Sequence, residues 1–290
     1  MSRRQLLTRA SALALAACAA SLAAPAIAQD SYPSRPITLI VPYAAGGSTD
    51  QLGRALAEGL SRELKQPVVV DNKPGGNGTM GVLQMKRSQP DGYTLTMVPL
   101  SVFRQPYLQT VAYQPLKDLS YISLVANYTY AIAVRADAKW KTIQELVNDA
   151  KARPDSIAYG TSALYSTNHL VMAELARETG VQWTHVPYKG DAEALTALMG
   201  GHVQVVSSTS TVLPFAQSGK MRVLATGGET RPKDFADVPT LKEAGYPVAL
   251  GSPLGIELFY RDHQQYAQYA QQATVQEKSI IGRLAGEVQK

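Results

Sequence analysis

Two segments of this chain put glycine, serine and threonine where an apolar strand gives way to a helix. The first runs from Ile37–Val41 through Pro42 into Tyr43-Ala44-Ala45-Gly46-Gly47-Ser48-Thr49-Asp50. The second runs from Ile157–Tyr159 into Gly160-Thr161-Ser162-Ala163-Leu164-Tyr165-Ser166-Thr167, with His169 just beyond. The first amides of a helix have no partner within it and sit at the positive end of the helix dipole, so such a turn suits an anion. Paired glycines let the backbone approach a carboxylate closely. Two such turns predict the halves of one cleft for a small acidic ligand, held by main-chain N–H groups and released unchanged.

Other chemistries fit less well. Ser162 lies on a strand-to-helix turn like a nucleophile elbow, with Asp and His residues following, so a periplasmic serine hydrolase is the alternative; the motif lacks its second glycine. His169, His185, His202 and His263 show no helical metal-ligand spacing and no acidic cluster beside them, so no metal is expected. No glycine-lysine-serine/threonine ending follows Gly46-Gly47, which argues against a nucleotide, and no cofactor is expected. No enzymatic activity is assigned.

The elements that would position these turns alternate in period. After Asp50, Leu52, Leu56, Leu60 and Leu64 recur at one-turn spacing, then comes a strand at Val68-Val69-Val70, the loop Asn72-Lys73-Pro74-Gly75-Gly76-Asn77-Gly78, a short helix and a strand at Tyr93–Val98. The second half repeats the plan. Thr142 and Glu145 form a capping box, Leu170, Ala173 and Ala176 mark a helix, Trp183–Val186 reads as a strand, and Pro187-Tyr188-Lys189-Gly190 turns into a further helix. Val203–Val206 and Met221–Thr226 read as strands; Thr240 and Glu243 make another capping box closing near Gly245. Such alternation predicts parallel crossover units, with Tyr121–Arg135 as the crossover between lobes.

The N-terminus predicts export. Arg3, Arg4 and Arg9 precede an uncharged run from Ala10 to Ala28, and Ala26-Ile27-Ala28 suits a signal peptidase, so residues 1–28 read as a signal peptide. Ser2–Thr8 resembles a twin-arginine signal, with a Sec signal as the alternative; Leu15-Ala16-Ala17-Cys18 resembles a lipobox, and a retained membrane anchor ranks last. Removing residues 1–28 takes three arginines and no acid, leaving 25 basic residues against 23 acidic ones, so nucleic acid is not an expected partner. The single cysteine, Cys18, lies in that segment, which rules out a disulfide or a thiol nucleophile in the mature chain.

Taken together, Tyr32-Pro33-Ser34-Arg35-Pro36-Ile37, Val41–Asp50, Asn72–Gly78, Pro90-Asp91-Gly92-Tyr93-Thr94-Leu95, Pro187–Gly190 and Asp237-Val238-Pro239-Thr240 resemble, in order and spacing, the solute-binding proteins of tripartite tricarboxylate transporters, the Bug or TctC family. The resemblance extends from about Tyr32 to Ile256. It implies an α/β, two-lobed periplasmic binding protein of type II-like architecture, each lobe a Rossmann-like sheet flanked by helices, with a hinge between them. Lobe 1 would comprise 29–127 and 228–290, lobe 2 128–227, with crossings near Asn127 and Thr226. The implied partners are a small organic acid (di- or tricarboxylate, aromatic acid or amino acid) and membrane transporter subunits, with the protein a periplasmic monomer; ligand sensing is the alternative to uptake.

Carried over by resemblance, the first ligand loop falls on Tyr43, Ala45, Gly46, Gly47, Ser48 and Asp50, and the second on Thr161, Ser162, Tyr165, Ser166, Thr167 and His169. Tyr188, Lys189 and Gly190 complete the cleft, and Ser207 and Ser208 end a strand beside it. Bland readings stand next to these. Asp50 suits a helix cap better than an anion's neighbour, Tyr43 and His169 could simply pack, and Lys189 could be a solvated surface charge. Ala163 and Tyr165 stand where the family pattern has glycine. After Ser252–Ile256, Glu257–Lys290 already resembles the family's final helix, with Tyr266, Tyr269, Ala270, Val275, Ile280 and Leu284 as its apolar stripe, so several tens of residues are expected to be missing at Ile256/Glu257.

Overall fold

A computed structural model describes residues 32–250 and 258–284. The expected signal segment, with its twin-arginine and lipobox readings, and the expected junction at Ile256/Glu257 lie outside those residues. The described residues from Arg35 onward belong to one compact unit. Among the described residues no helix is long and apolar enough to cross a membrane.

One sheet is wholly parallel. Strands β1 (Ile37–Val41), β2 (Val68–Asn72) and β3 (Thr94–Thr96) lie in the order β2-β1-β3. Helix α1 (Ser48–Leu64) covers it, joined by α2 (Thr79–Lys86). The buried line of α1 runs through Gly53 and Ala57, while Leu56, Leu60 and Leu64 flank it half-buried against Ile37, Leu39 and Val68. Close approach is the reason: a Cβ at Gly53 would lie 2.7 Å from Val41 Cγ2, so only glycine lets the helix sit this near β1.

Short helices α3 (Ser101–Arg104) and α4 (Pro115–Asp118) lead to β4 (Leu124–Ala126), and β5 (Ala131–Arg135) then enters a second sheet. With α5 (Ile143–Ala152), β6 (Ala158–Thr161), α6 (Thr167–Thr179), β7 (Thr184–Pro187), α7 (Asp191–Met199), β8 (Val205–Ser208), α8 (Leu213–Gln217) and β9 (Met221–Thr226), it builds the order β7-β6-β8-β5-β9. Here β6 pairs parallel with β7 and β8, but β5 pairs antiparallel with β8 and β9. The expectation of parallel crossovers throughout is therefore corrected: β5 arrives from β4 rather than from a crossover helix, and a strand entering that way is free to run against its neighbours.

Helix α6 is the core of this half. Every residue from Thr167 to Ala176 is buried, and Leu170, Val171, Met172 and Leu175 are wholly inaccessible, each contributing about 1.5–3 kcal/mol of apolar burial. Helix α5 begins at the expected cap: Thr142 Oγ1 accepts from Glu145 N at 3.2 Å, while Glu145 Oε2 reaches one residue further back than a capping box would, accepting from Lys141 N at 2.6 Å. At Thr240 and Glu243 the reciprocal box forms, at 3.0 and 2.9 Å, yet it closes one turn rather than a helix before Gly245 at φ +90°.

The C-terminal segment differs from expectation. Leu258–Arg261 is a strand, β10, pairing antiparallel with β4, before α9 (His263–Leu284). The buried line of α9 is Tyr266, Ala270, Ala273, Glu277, Ile281 and Leu284, whereas Val275 is 69% exposed. An acid inside an apolar stripe defeats a hydrophobicity pattern, and it is there because Arg104 sits opposite.

Candidate ligand-binding site

The first turn is held from beneath. Gly46 takes φ +88°, and its N–H donates to Asp50 Oδ2 at 2.9 Å. Arg54 Nε donates to the same oxygen at 2.9 Å, and Asn72 Nδ2 bridges Asp50 Oδ1 and Tyr43 O at 2.9 and 3.0 Å. Burial pushes the Asp50 carboxyl up, but the bonds from Arg54, Gly46 and Asn72 outweigh it and hold it below the usual range. Asp50 shapes the turn; it faces Gly46, Arg54 and Asn72. Gly47 is the N-cap of α1 and brings no side chain to that end.

The second turn is strained. Tyr165 takes φ +61°, a left-handed conformation that costs a tyrosine but not a glycine. Its N–H donates to His169 Nδ1 at 3.0 Å, and its carbonyl accepts from Arg104 Nη1 at 2.8 Å. Ser166 caps α6, accepting from His169 N at 3.3 Å. His169 lies face to face with His185, centroids 3.9 Å apart, with Tyr159 stacked beyond; Thr161 Oγ1 lies 2.7 Å from His185 Nε2. Burial, then the neighbouring His185 and Arg104, push His169 down to about 3; burial pushes His185 down to about 4. Both rings are thus neutral packing groups, engaged with Tyr165 and Thr161 rather than poised on Ser162.

A third turn closes on the first. Ala44 N donates to Lys189 O at 3.2 Å, and a Cβ at Gly190 would lie 3.6 Å from Ala44 N. Beyond it α7 opens with Asp191. Thr209 Oγ1 donates to Asp191 Oδ2 at 2.6 Å, Ser48 Oγ donates to the same oxygen at 3.2 Å, and Asn168 Nδ2 donates to Oδ1 at 3.1 Å. The helix starts of α1, α6 and α7 therefore meet around one carboxylate.

Between them lies a cavity of about 690 Å³. Of the residues expected at the site, Tyr43, Gly47, Ser48, Ser162, Ser166 and Thr167 line it. Tyr165, Tyr188 and Lys189 line a smaller cavity of about 270 Å³ that also has Tyr43 and Ser162 in its wall. Ala45, Gly46, Asp50, Thr161, His169 and Ser207 line neither: Ala45 and Gly46 are exposed on the first turn, and the other four are buried. Ser207 is wholly buried, its carbonyl accepting from Asn168 Nδ2 at 3.1 Å.

Sequence reasoning missed several residues of the larger cavity: Arg104, Asn168, Asp191, Thr209 and Glu277. Arg104, 1% exposed, pairs bidentately with Glu277 at 2.6 and 2.9 Å and also reaches Thr167 Oγ1 at 3.1 Å. Asp191 carried a signal: an acid at the first helical position directly after Tyr188-Lys189-Gly190. Arg104 and Glu277 carried none, being far apart in sequence and outside any motif.

With the site assembled, its relatives can be placed. The model of the tripartite tricarboxylate transporter family receptor matches residues 52–256. The chain belongs to that family, the TctC or Bug solute-binding proteins. A Cupriavidus necator relative, "UPF0065 protein in gbd 5'region", is 40% identical over 321 aligned positions that cover 98% of each chain. The periplasmic binding protein BugD superposes with a TM-score of 0.81 at 28% identity, covering 88% of this chain and 99% of its own. An R. palustris protein solved with adipate gives 0.80 at 26%, covering 88% and 98%. The two-lobed α/β binding-protein fold is thereby shown for this TctC-family chain, and the family is one of receptors rather than enzymes, so the hydrolase alternative falls away.

Proposed function

We propose that this protein captures a small organic carboxylate in the 690 Å³ cavity between its lobes and presents it to the membrane subunits of a tripartite tricarboxylate-type transporter. It does so as a periplasmic monomer, exported by residues 1–28. The observation that carries the reading is that Gly47-Ser48 of α1 and Ser166-Thr167 of α6 line one cavity, so the amide-rich starts of two helices on two different sheets face a common space. The relative solved with adipate supports a carboxylate as the guest.

The lobes are proposed as 29–127 with 228–290, and 128–227. Sheet membership agrees: β4 ends at Ala126 before β5 enters the five-stranded sheet, and β9 leaves it at Thr226. In this reading the bonds Ala44 N to Lys189 O and Ser48 Oγ to Asp191 join the lobes in a closed form, and their breaking accompanies opening. Ligand identity is tested by native mass spectrometry of freshly purified protein for a co-purifying acid, followed by a thermal-shift screen of carboxylates. Co-purification of an acid that raises the unfolding temperature is expected; no carboxylate giving any shift would sink the reading.

A further inference from the structure

Asp191 is buried and lines the larger cavity where α1, α6 and α7 begin. The side chains that hydrogen-bond to it, Thr209, Ser48, Ser208 and Asn168, are all neutral. Among the described residues no lysine, arginine or histidine hydrogen-bonds or pairs with it. Glu277, the other buried acid on this cavity, has Arg104 as a bidentate partner. Burial pushes the Asp191 carboxyl up, and the hydroxyl and amide donors pull it only part of the way back. A buried carboxylate without a counter-charge is costly, and the positive end of α7 offsets only a fraction.

The surroundings suit a cation. Tyr43 and Tyr128 wall the same cavity, and burial pushes both phenols up to about 12, so they stay neutral. A phenol ring attracts an ammonium to its face. A ligand with only carboxylates would bring like charge against Asp191. A ligand carrying its own ammonium would complete the missing ion pair, while its carboxylate took the amides at the starts of α1 and α6.

We propose that Asp191 is a specificity-determining residue that receives a protonated amine of the ligand, so that the site selects carboxylates bearing an ammonium group over acids that lack one. This rests on the carboxylate-capture reading above and narrows its substrate class.

Isothermal titration calorimetry of the full chain, freed of co-purified ligand by dialysis, tests it with matched probes. L-glutamate is compared with glutarate, 4-aminobutyrate with butyrate, and putrescine serves as an amine without a carboxylate. The amine-bearing acid of each pair is expected to bind about ten-fold or more tightly than its partner, the size of one charge-assisted hydrogen bond. Asp191→Asn should remove that preference, bringing the two members of each pair to equal affinity whatever the change does to lobe closure and to affinity overall. Equal or tighter binding of the amine-free acids by the unaltered protein overturns the assignment and leaves carboxylate capture standing, as does an Asp191→Asn variant that weakens both members of each pair alike. Putrescine binding with no acid bound does the reverse, and binding of no probe overturns both. Should Asp191→Asn fail to fold, the paired affinities of the unaltered protein decide.

Discussion

Arg104 on α3 and Glu277 on α9 form a two-pronged ion pair, at 2.6 and 2.9 Å, inside a molecule that leaves them 1% and 3% exposed. The same guanidinium holds the carbonyl of Tyr165 and the hydroxyl of Thr167. One side chain thus fastens the C-terminal helix to the second ligand turn.

Removing one partner should show how much rests on it. Glu277→Ala leaves a buried guanidinium uncompensated and is expected to cost about 3–5 kcal/mol, whereas joint replacement by apolar residues of similar volume costs far less. Chemical denaturation of Glu277→Ala, Arg104→Met and the double variant measures the coupling; additive losses would show the pair to be independent.

Tyr165 offers a test of backbone strain. Tyr165→Gly and Tyr165→Ala both lose the ring beside His169, but only alanine keeps a side chain at φ +61°. The glycine variant should be the more stable by roughly 1 kcal/mol. Equal stabilities in urea titrations would mean that the turn relaxes once the ring is gone.

Gly47 separates binding from folding. Its φ is −80°, and a Cβ there would meet Asp191 N at 3.8 Å and Ala44 O at 3.9 Å, ordinary contacts. Gly47→Val should therefore fold with an unfolding temperature close to that of the parent, while its methyls intrude at the start of α1 and abolish ligand-induced stabilisation. Gly53→Val, facing Val41 Cγ2 at 2.7 Å from its Cβ, should instead lose stability outright. An undiminished ligand shift in Gly47→Val would remove that turn from the site.

Acid should weaken the second half through its stacked histidines. The groups facing them are Tyr159, Tyr165, Thr161 and, by its charge, Arg104. His169 and His185 fall from 6.5 to about 3 and about 4 in the folded chain, so below their ordinary value the unfolded chain binds more protons. Stability is full above 6.5 and declines as pH falls toward those depressed values. Unfolding free energies measured from about pH 7.5 down to about pH 5 should drop for the parent protein and drop less for His185→Phe. Parallel curves would assign the acid sensitivity elsewhere.

Much of this was legible in the residues. The strand-to-helix turns at Gly46-Gly47 and Ser162–Thr167 stand where glycine and hydroxyl residues interrupt apolar runs, Thr142 caps its helix, and the reciprocal pair forms in full at Thr240/Glu243. Local signals of this kind act over a few residues, so a sequence displays them directly. Read the same way, Val275 looked like part of the α9 stripe and Glu277 did not, because a hydrophobicity pattern has no means of seeing Arg104.

The chain's own order of residues determined where helices begin, which turns offer amides and to which family the chain belongs. Tertiary structure alone decided that Asp50 shapes the first turn, that His169 packs against His185, that β5 runs against its neighbours, and that Asp191 sits among three helix starts with only neutral hydrogen-bond partners among the described residues. The physical reason is range. Capping and turn geometry are settled by neighbours along the chain, whereas burial and charge pairing depend on groups brought together from distant segments, and only the folded chain specifies which ones meet.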